Sequence, residues 1–578
     1  MVPFVCLFPS SGDLAYVTAL AGDGMEDATR EPTGTSAPRR GLAAAGHGED
    51  AAVGGAAPPR RAAGLVAAGI LLSRIAGFVR QYVFAHYFGN GAAADAFNAA
   101  LKIPNLLQNL FGEGVLSASF IPVYAGLLGR GDEKEATRVA DVVGTLLALV
   151  TAALVVLGVV ATPYLIAGIA PGFAGEKRDA TITLVRVLFP GVGVLVLSSW
   201  CLGILNSHRR FFLSYAAPVV WSATMVVAML AFGDGAASYR LAEIVAAAAT
   251  LGAVLQLAVQ LPTVLVLLGR LRPSLDLASA RVRQVFRSFG PIVVARGVVQ
   301  ISAYVDQVLA SLLPTGAVAG LAYAQLIYTL PVSLFGMSVS ASELPEMARA
   351  AGSAEDVARQ LRARLSAGLR QIAFFVVPSA VALLTLGDVI AALLYQSGRF
   401  THADALYVWG ILAGSAVGLL ASTMGRLYAS TFYALHDTRT PLACAAVRVA
   451  LTTGLGWLAA IVLPPRLGID PRWGTAGLTA SAGVAGWIEL ALLRSRLRRR
   501  IGATPLAASF VARLWGAAAV GAALAWGVKL ALGAAHPLVT GPLVLAPYAI
   551  GYAAAAIALG VPEARSALAT VRRRGLRG

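Results

Sequence analysis

The sequence predicts an all-α polytopic membrane protein with about 14 transmembrane helices. Of its 578 residues, 57% are hydrophobic and only 13% are charged, whereas roughly a quarter of the residues of a soluble protein are charged. Apolar runs of about 18 residues or more, which suffice for a helix across a bilayer core of about 30 Å, recur from near residue 62 to near residue 560. Because these runs are continuous and do not alternate in polarity, a transmembrane β-barrel is excluded.

The predicted spans are bounded by charged residues or by Gly and Pro. They lie near residues 62–88, 94–128, 139–168, 181–206, 211–232, 241–268, 290–313, 318–347, 372–395, 405–433, 442–463, 475–493, 507–533 and 541–561.

Basic residues alternate between the predicted loops in the way that the positive-inside rule requires. One set of loops carries most of the arginines, for example Arg209 and Arg210, Arg281 to Arg287, and Arg494 to Arg500. The other set carries few basic residues, which are Lys177, Arg178, Arg240, Arg399, Arg466 and Arg472. We therefore expect an even number of spans with both termini in the cytoplasm, and we assign the net charge of +17 to membrane orientation and not to nucleic-acid binding.

The segments outside the spans are predicted to be of two kinds. Residues 1–60 are rich in Gly, Ala and Pro with mixed charges, which is typical of a disordered cytoplasmic tail. The alternative for this region is an over-extended start, with true initiation at Met25 or later. Residues 269–289 and the segment before residue 372 space their apolar residues three or four apart beneath several arginines, as amphipathic helices on the inner leaflet do.

The first span carries a polar stripe. At about 100° per residue, Ser73, Arg74, Gly77, Arg80 and Gln81 fall within an arc of about 120°. The rest of the helix surface is apolar, and we expect it to face lipid. Arg74 and Arg80 are about 9 Å apart along the axis, a spacing that fits a pyrophosphate and its first sugar, and arginine binds phosphate in a bidentate manner. The alternative is structural: Arg80 anchors the helix at the interface, and Arg74 pairs with Asp95 or Glu113.

Two further spans carry polar groups at membrane depth, where such groups tend to mark substrate paths. The second span is interrupted by Pro104 and by Gly112 and Gly114, and it contains Lys102, Asn105, Gln108, Asn109 and Glu113. The seventh span places Arg296, Gln300, Tyr304, Gln307 and Ser311 on one face, with Asp306 on a neighbouring face. Broken helices with such residues are a feature of transporter binding sites.

No motif of a catalytic, metal or phosphate-loop site is present in the sequence. The three cysteines, Cys6, Cys201 and Cys444, are far apart and form no CxxC pair. We therefore expect no enzyme and no cofactor, and we expect transport to be driven by an ion gradient, the membrane potential or the substrate gradient.

The segment SRIAGFVRQYVFAHYFGNGAAADAFNAALKIPNLLQNLFGEGVLSASFIPVY resembles the N-terminal signature of the lipid II flippases (MurJ/MviN). The similarity continues in FGPIVVARGVVQISAYVD, YAQLIYTLPVSLFGMSVSASELPEMAR, LLYQSGRFTHADAL and FYALHDTRTPL, and it covers about residues 65–445. The resemblance implies two helical lobes around a central cationic cavity, in the multidrug/oligosaccharidyl-lipid/polysaccharide exporter superfamily. The cavity residues of the family map onto Arg74, Arg80, Asp95, Lys102 and Glu113.

The resemblance also implies a function, which is the transfer of lipid II across the bacterial cytoplasmic membrane in peptidoglycan synthesis. The expected substrate-binding residues are Arg74, Arg80, Lys102, Asn105, Arg296 and Gln300, and the expected cavity or gating carboxylates are Asp95, Glu113 and Asp306. Expected partners are lipid II, membrane lipids and the peptidoglycan synthesis machinery, with no nucleic acid. The corresponding division of the chain is residues 61–268 (spans 1–6), the linker 269–289, residues 290–498 (spans 7–12), and residues 499–578 (spans 13 and 14 and a basic tail).

Two positions depart from the family pattern. Gln108 and Leu326 stand where many relatives carry arginine, so two cavity cations are missing, and Arg296 is a candidate replacement. This departure leaves open a flippase for another lipid-linked oligosaccharide. A drug/cation antiporter of the same superfamily is disfavoured because Arg74 and Arg296 would repel cationic drugs, and a non-transporting scaffold of wall synthesis is the remaining alternative.

Overall fold

The structure is a computed structural model that describes residues 60–504, 506–533 and 535–566, without the side chains of residues 60–67, 113, 291, 292 and 294–303. The tail expected over residues 1–60 lies outside these residues except for residue 60, as does most of the basic C-terminal tail. Every regular element in the described part of the chain is helical, which confirms the all-α class.

Eight helices form the N-terminal half of the described chain. They are α1 (Arg60–Phe88), α2 (Ala92–Phe111), α3 (Glu113–Gly129), α4 (Glu133–Ile169), α5 (Gly175–Ser207), α6 (Phe211–Ala216), α7 (Pro218–Phe232) and α8 (Ser238–Leu268).

After an extended linker the C-terminal half begins with α9 (Ala280–Ser311) and α10 (Ala317–Pro331). A π-helical turn (Val332–Met337) leads into α11 (Ser338–Ala348), followed by α12 (Ala354–Tyr395), α13 (His402–Ala434) and α14 (Arg439–Trp457). A second π-helical turn (Leu458–Val462), α15 (Leu463–Arg466) and a 3₁₀ turn (Pro471–Trp473) precede α16 (Gly474–Ile501), α17 (Ala508–Leu532) and α18 (Pro537–Ala558).

Within the described residues, 12 helical segments are long and apolar enough to cross a membrane. The two other long helices, α1 with 29 residues and α9 with 32, also exceed the length of about 20 residues that a span needs, but the side chains of part of each helix lie outside the described residues. A multi-pass membrane protein is therefore confirmed, whereas the count of 14 spans stays a prediction.

Three spans differ in detail from the pattern of apolar runs. The second span breaks at Gly112, between α2 and α3, as expected, whereas the expected interruption at Pro104 is wrong, because Pro104 lies inside the continuous helix α2. Helices α9 and α12 begin well before their apolar runs, at Ala280 and Ala354, so that residues 280–289 and the basic segment before residue 372 are continuous with the spans that follow them. Residues 269–279, which were expected to belong to an amphipathic helix, are not helical. An amphipathic helix on the inner leaflet and the transmembrane helix after it can form one continuous helix, because the backbone hydrogen bonds do not depend on the polarity of the side chains.

Contacts between connecting segments define two ends of the molecule. At the basic end, Ser279 donates a hydrogen bond to Glu135, and Arg138 donates one to Asp276 that lowers the pKa of this exposed carboxyl. In the C-terminal half, two ion pairs stabilise the same end: Arg500 with Asp437 at 2.7 Å and Arg370 with Glu563 at 2.7 Å. These segments are the arginine-rich loops of the sequence, which the structure therefore brings to one side.

Helix α9 lies between the two halves. Its first turns, with Val282 and Val285, are buried in a cluster with α3, α4, α5 and α8 of the N-terminal half. Leu309 and Ala310, near its other end, are buried in a cluster that holds both Ala99 of α2 and Leu478 of α16. The helix thus packs on the N-terminal half at the basic end and on both halves at the opposite end.

The centre of the C-terminal half is the pair of helices α13 and α16. Gly418 and Gly483 meet where these helices cross, and a Cβ atom on Gly483 would lie 2.7 Å from the Gly418 backbone nitrogen. Because the contacted atoms belong to the backbone of the neighbouring helix, a change of side-chain rotamer cannot relieve this close contact. Small residues at such crossings let membrane helices approach closely.

We predict that Gly483→Ala lowers the thermal stability of the purified protein, because the added methyl group forces α13 and α16 apart at a cost of about 1–3 kcal/mol. Gly486→Ala on the same helix is the matched control, since its Cβ would make only an ordinary contact at 3.9 Å. Melting in detergent, followed by intrinsic fluorescence, measures both variants. Equal melting temperatures for the two variants would contradict close packing at this crossing.

Candidate functional site: a charged interior closed at one end

The polar stripe of α1 borders open space. A Cβ atom on Gly77 would meet no atom within 4 Å, Arg74 is exposed, and Ser73, Arg80 and Gln81 are half-buried. The apolar positions of the same helix are exposed as well, as expected for a lipid-facing surface; they are Leu71, Leu72, Ile75, Phe78 and Val79. The part of α1 that carries the stripe is thus covered on one side only, where it packs on α6 and α7, whereas the last turns of the helix, with Phe84 and Phe88, are buried in the core.

Arg80 is held by an aromatic ring. Its guanidinium carbon lies 4.6 Å from the centroid of the Trp221 ring of α7, within the range of a cation–π interaction. An aromatic ring attracts a cation without carrying a net charge of its own. Trp221 therefore stabilises Arg80 without neutralising its charge.

The polar part of α2 meets α9. The Tyr304 hydroxyl donates a hydrogen bond of 2.8 Å to the Lys102 backbone carbonyl, and the Lys102 ammonium and the Asp306 carboxylate interact electrostatically. One carboxylate oxygen of Asp306 is buried without a hydrogen-bond partner. Asn105, one turn from Lys102, is exposed. Lys102, Asn105 and Asp306 are thus grouped on neighbouring helices.

Three expected site residues have side chains outside the described residues: Glu113, Arg296 and Gln300. The backbone places Glu113 at the start of α3 and the other two within α9. At the positions that depart from the family pattern, Gln108 is half-buried and Leu326 is 38% exposed.

Asp95 does not line the interior, because it is buried with 1% of its surface exposed. One carboxylate oxygen accepts hydrogen bonds from the Lys177 ammonium at 2.6 Å and from the Gly316 backbone N–H at 2.8 Å. The other oxygen accepts the Ala319 backbone N–H at 2.8 Å. Asp95 of α2 thus caps the first turn of α10 in the other half of the molecule.

The conformation of Gly316 makes this contact possible. Its φ of +95° lies in the left-handed region that favours glycine, and it points the backbone N–H at Asp95. The N-terminal end of a helix also carries a partial positive charge, which adds to that of Lys177. The carboxylate therefore faces three donors at this site.

Further bonds join the two halves at the same end. The Tyr323 hydroxyl donates to the Gly89 carbonyl at 2.7 Å. The Arg399 backbone N–H donates to the His86 carbonyl at 2.8 Å, and the Arg399 guanidinium donates to Ser238 at 2.8 Å. Together with the bonds of Asp95, they close the molecule at the end opposite the basic loops.

Several residues of this arrangement are not among the residues expected from the sequence. Lys177 and Trp221 belong to helices that carry no polar stripe, and only the fold brings them to Asp95 and Arg80. Arg426, Arg448 and Glu489, which form a cluster in the C-terminal half, did leave a signal, since each is a charged residue inside an apolar run.

Fold and interior together define a membrane carrier of the polytopic helical class. The fold is similar to a solved structure described as lipid II flippase MurJ in an inward closed conformation, with a TM-score of 0.68 and 21% identity over 86% of this chain and 99% of that chain. It is also similar to the inward-facing conformation of a multidrug resistance MATE family transporter of the MOP superfamily, with a TM-score of 0.58 and 17% identity over 74% of this chain and 94% of that chain.

The sequence comparisons identify the family. The probable lipid II flippase MurJ of Rhizobium tropici is 32% identical over 439 residues, which are 74% of this chain and 79% of that protein. The lipid II flippase MurJ of Burkholderia cenocepacia is 31% identical over 438 residues, 74% of this chain and 82% of that protein. The sequence profile of the family described as lipid II flippase MurJ matches residues 84–545. The chain belongs to the lipid II flippase MurJ family, which confirms the resemblance seen in the sequence.

We predict that Asp95→Asn lowers the stability of the closed conformation, because it leaves the partly buried Lys177 ammonium, whose side chain is 15% exposed, without its counter-charge. Removing one partner of a buried ion pair costs about 3–5 kcal/mol. The control is Asp234→Asn, which changes an exposed carboxylate at the same end. Thermal melting of the two variants, with Lys177→Gln and the double variant completing a double-mutant cycle, gives the coupling energy. A coupling of zero would mean that Asp95 and Lys177 do not depend on each other.

Proposed function

We propose that the chain flips the lipid-linked peptidoglycan precursor lipid II from the inner to the outer leaflet of the bacterial cytoplasmic membrane by alternating access. The observation that carries the proposal is the cationic stripe of α1 bordering open space in a member of the MurJ family. The basic end faces the cytoplasm by the positive-inside rule, with both termini on that side. The conformation described here is then closed towards the outside.

In this proposal the interior binds the substrate through its pyrophosphate. Arg74 and Arg80 are the primary ligands, and the contact with the Trp221 ring stabilises Arg80. Lys102 adds a third cation, and Asn105, Arg296 and Gln300 supply further donors. The polyprenyl tail remains in lipid between the two halves, since its transfer into a polar interior would be unfavourable.

The carboxylates have different roles. Asp95 acts as a gate residue, because its three bonds must break before the two halves can separate at the outer end. Asp306 and Glu113 balance the charge of the interior when no substrate is present. Rocking of the two halves then exposes the headgroup outside.

The membrane potential contributes to the return of the empty carrier. An inside-negative potential attracts the cavity cations towards the cytoplasm. Moving one elementary charge through a potential difference of 100 mV changes the free energy by about 2.3 kcal/mol. Binding of the pyrophosphate cancels this charge, so the loaded carrier moves outwards with less opposition. The peptidoglycan synthesis machinery, which consumes the flipped substrate, is a further candidate partner.

A second candidate function is a flippase for another lipid-linked oligosaccharide. The observation in its favour is the uncharged pair Gln108 and Leu326, which leaves the interior with fewer cations than the family pattern has. Complementation of a strain depleted of its lipid II flippase, combined with lipid II translocation in proteoliposomes, separates the two functions. Growth of the depleted strain without lipid II translocation in proteoliposomes would count against lipid II as the substrate. The absence of both growth and translocation would count against it as well.

We predict that Arg74→Ala abolishes complementation and that Arg296→Ala weakens it, because each removes a cation from the pyrophosphate site. A hydrogen bond to a charged group contributes about 1.5–3 kcal/mol, so binding falls roughly 10- to 100-fold. Arg349→Ala, in an exposed loop at the basic end, is the control for expression and folding.

Growth rate and membrane abundance are measured for each variant. If Arg296→Ala grows like the wild type while Arg74→Ala does not, Arg296 does not replace the missing cations. If Arg74→Ala also grows normally, the pyrophosphate is not bound at α1.

A further inference from the structure

A second polar cluster lies on the inner side of the C-terminal half. Ser422 and Arg426 are four residues apart on α13 and therefore share a face. The Ser422 hydroxyl is hydrogen-bonded to the Tyr328 hydroxyl of α10 at 2.9 Å. The neighbours of Arg426 along the chain, Gly425 and Leu427, are buried, whereas Arg426 itself is exposed.

Two more helices complete this cluster. Arg448 of α14 and Glu489 of α16 form an ion pair of 3.1 Å, with 35% and 15% of their side chains exposed. Arg426 interacts electrostatically with Tyr328, with Arg448 and with Glu489. Polar side chains from α10, α13, α14 and α16 thus converge on one place.

The depth of the cluster shows that it faces the interior. Arg426 lies eight residues before the end of α13 at Ala434, and Arg448 lies nine residues after the start of α14 at Arg439. At 1.5 Å per residue both are about 12–14 Å from the basic end. A guanidinium at this depth that faced lipid would be costly, so the exposed surface of Arg426 borders the aqueous interior.

The charges of the cluster do not cancel. Glu489 pairs with Arg448, and within the described part of the chain no carboxylate lies within 4.0 Å of Arg426. The guanidinium keeps its donors available to a ligand, beside the hydroxyls of Tyr328 and Ser422. Such a planar set of donors matches an oxyanion.

This cluster is linked electrostatically to the polar part of α2. Arg448 interacts electrostatically with Asp306, which in turn interacts with Lys102 of α2. The charged groups of the two halves therefore influence one another.

We propose that Arg426 forms a second oxyanion-binding subsite, positioned by the Arg448–Glu489 pair, for an anionic group of the lipid-linked substrate. The inference rests on the proposed function and adds a contact to the C-terminal half. The group is a phosphate or a carboxylate, since a precursor that carries both a pyrophosphate and a peptide offers either one. A substrate held by both α1 and α13 links the two halves when they move.

The test is binding of three ligands to the purified full chain in nanodiscs: lipid II, the same lipid-linked disaccharide without its peptide, and undecaprenyl pyrophosphate. Arg426→Ala is compared with the wild type, with Arg426→Lys, and with the loop variant Arg349→Ala. If Arg426→Ala melts below the wild type, Arg426→Gln, which retains a polar side chain and a similar helix propensity without the charge, takes its place. Affinity is measured by displacement of a fluorescent lipid II analogue.

We expect Arg426→Ala to weaken lipid II binding about tenfold or more, with Arg426→Lys in between and Arg349→Ala unchanged. A loss confined to the ligand with a peptide assigns the subsite to carboxylates, and an equal loss for all three ligands assigns it to phosphate. Affinities within twofold of the wild type for all three ligands overturn this inference and leave the proposed function in place. A wild-type protein that binds none of the three overturns the proposed function and this inference with it.

Discussion

The buried carboxylate of Asp95 is the constraint on which the closed conformation depends. It joins α2, the start of α5 and the first turn of α10 through one side chain, and it is 1% exposed. A buried charge that loses its partners costs several kcal/mol, so a partial opening around Asp95 is less favourable than either the closed or the fully separated arrangement. Bistability of this kind is what alternating access requires.

The closed end and the interior differ in the contacts that their cations make. At the closed end, Lys177 is tied to Asp95 and lies over the Phe173 ring at 4.1 Å. Elsewhere, Arg80 lies over the Trp221 ring at 4.6 Å, and Arg426 interacts electrostatically with Tyr328, Arg448 and Glu489. An aromatic ring does not neutralise a cation as a carboxylate does, so the proposed substrate site keeps charge for a ligand, whereas the closed end uses its charge for structure.

The sequence predicted well those features that depend on neighbouring residues. The all-α class, the break near Gly112 and the polar stripe from Ser73 to Gln81 follow from local composition and from the period of the helix. The bonds of Asp95 could not be predicted, because Asp95 and Gly316 are 221 residues apart in the chain and the contact requires a glycine with positive φ. Asp95 was expected as a cavity or gating residue, and its burial favours the gate. Arg426 and Arg448 could have been found by asking which charged residues interrupt apolar runs.

The central claim is that the closed end must open for transport, and a reversible crosslink across it tests that claim most directly. Ser238 and Arg399 lie on opposite halves, where they are exposed at this end and in hydrogen-bond contact. A cleavable thiol crosslinker can therefore join Ser238→Cys to Arg399→Cys. The native cysteines Cys6, Cys201 and Cys444 are replaced beforehand. The account predicts that the crosslinked protein still binds lipid II but does not translocate it in proteoliposomes, and that cleavage of the linker restores translocation. Translocation at the same rate with the linker intact would contradict it.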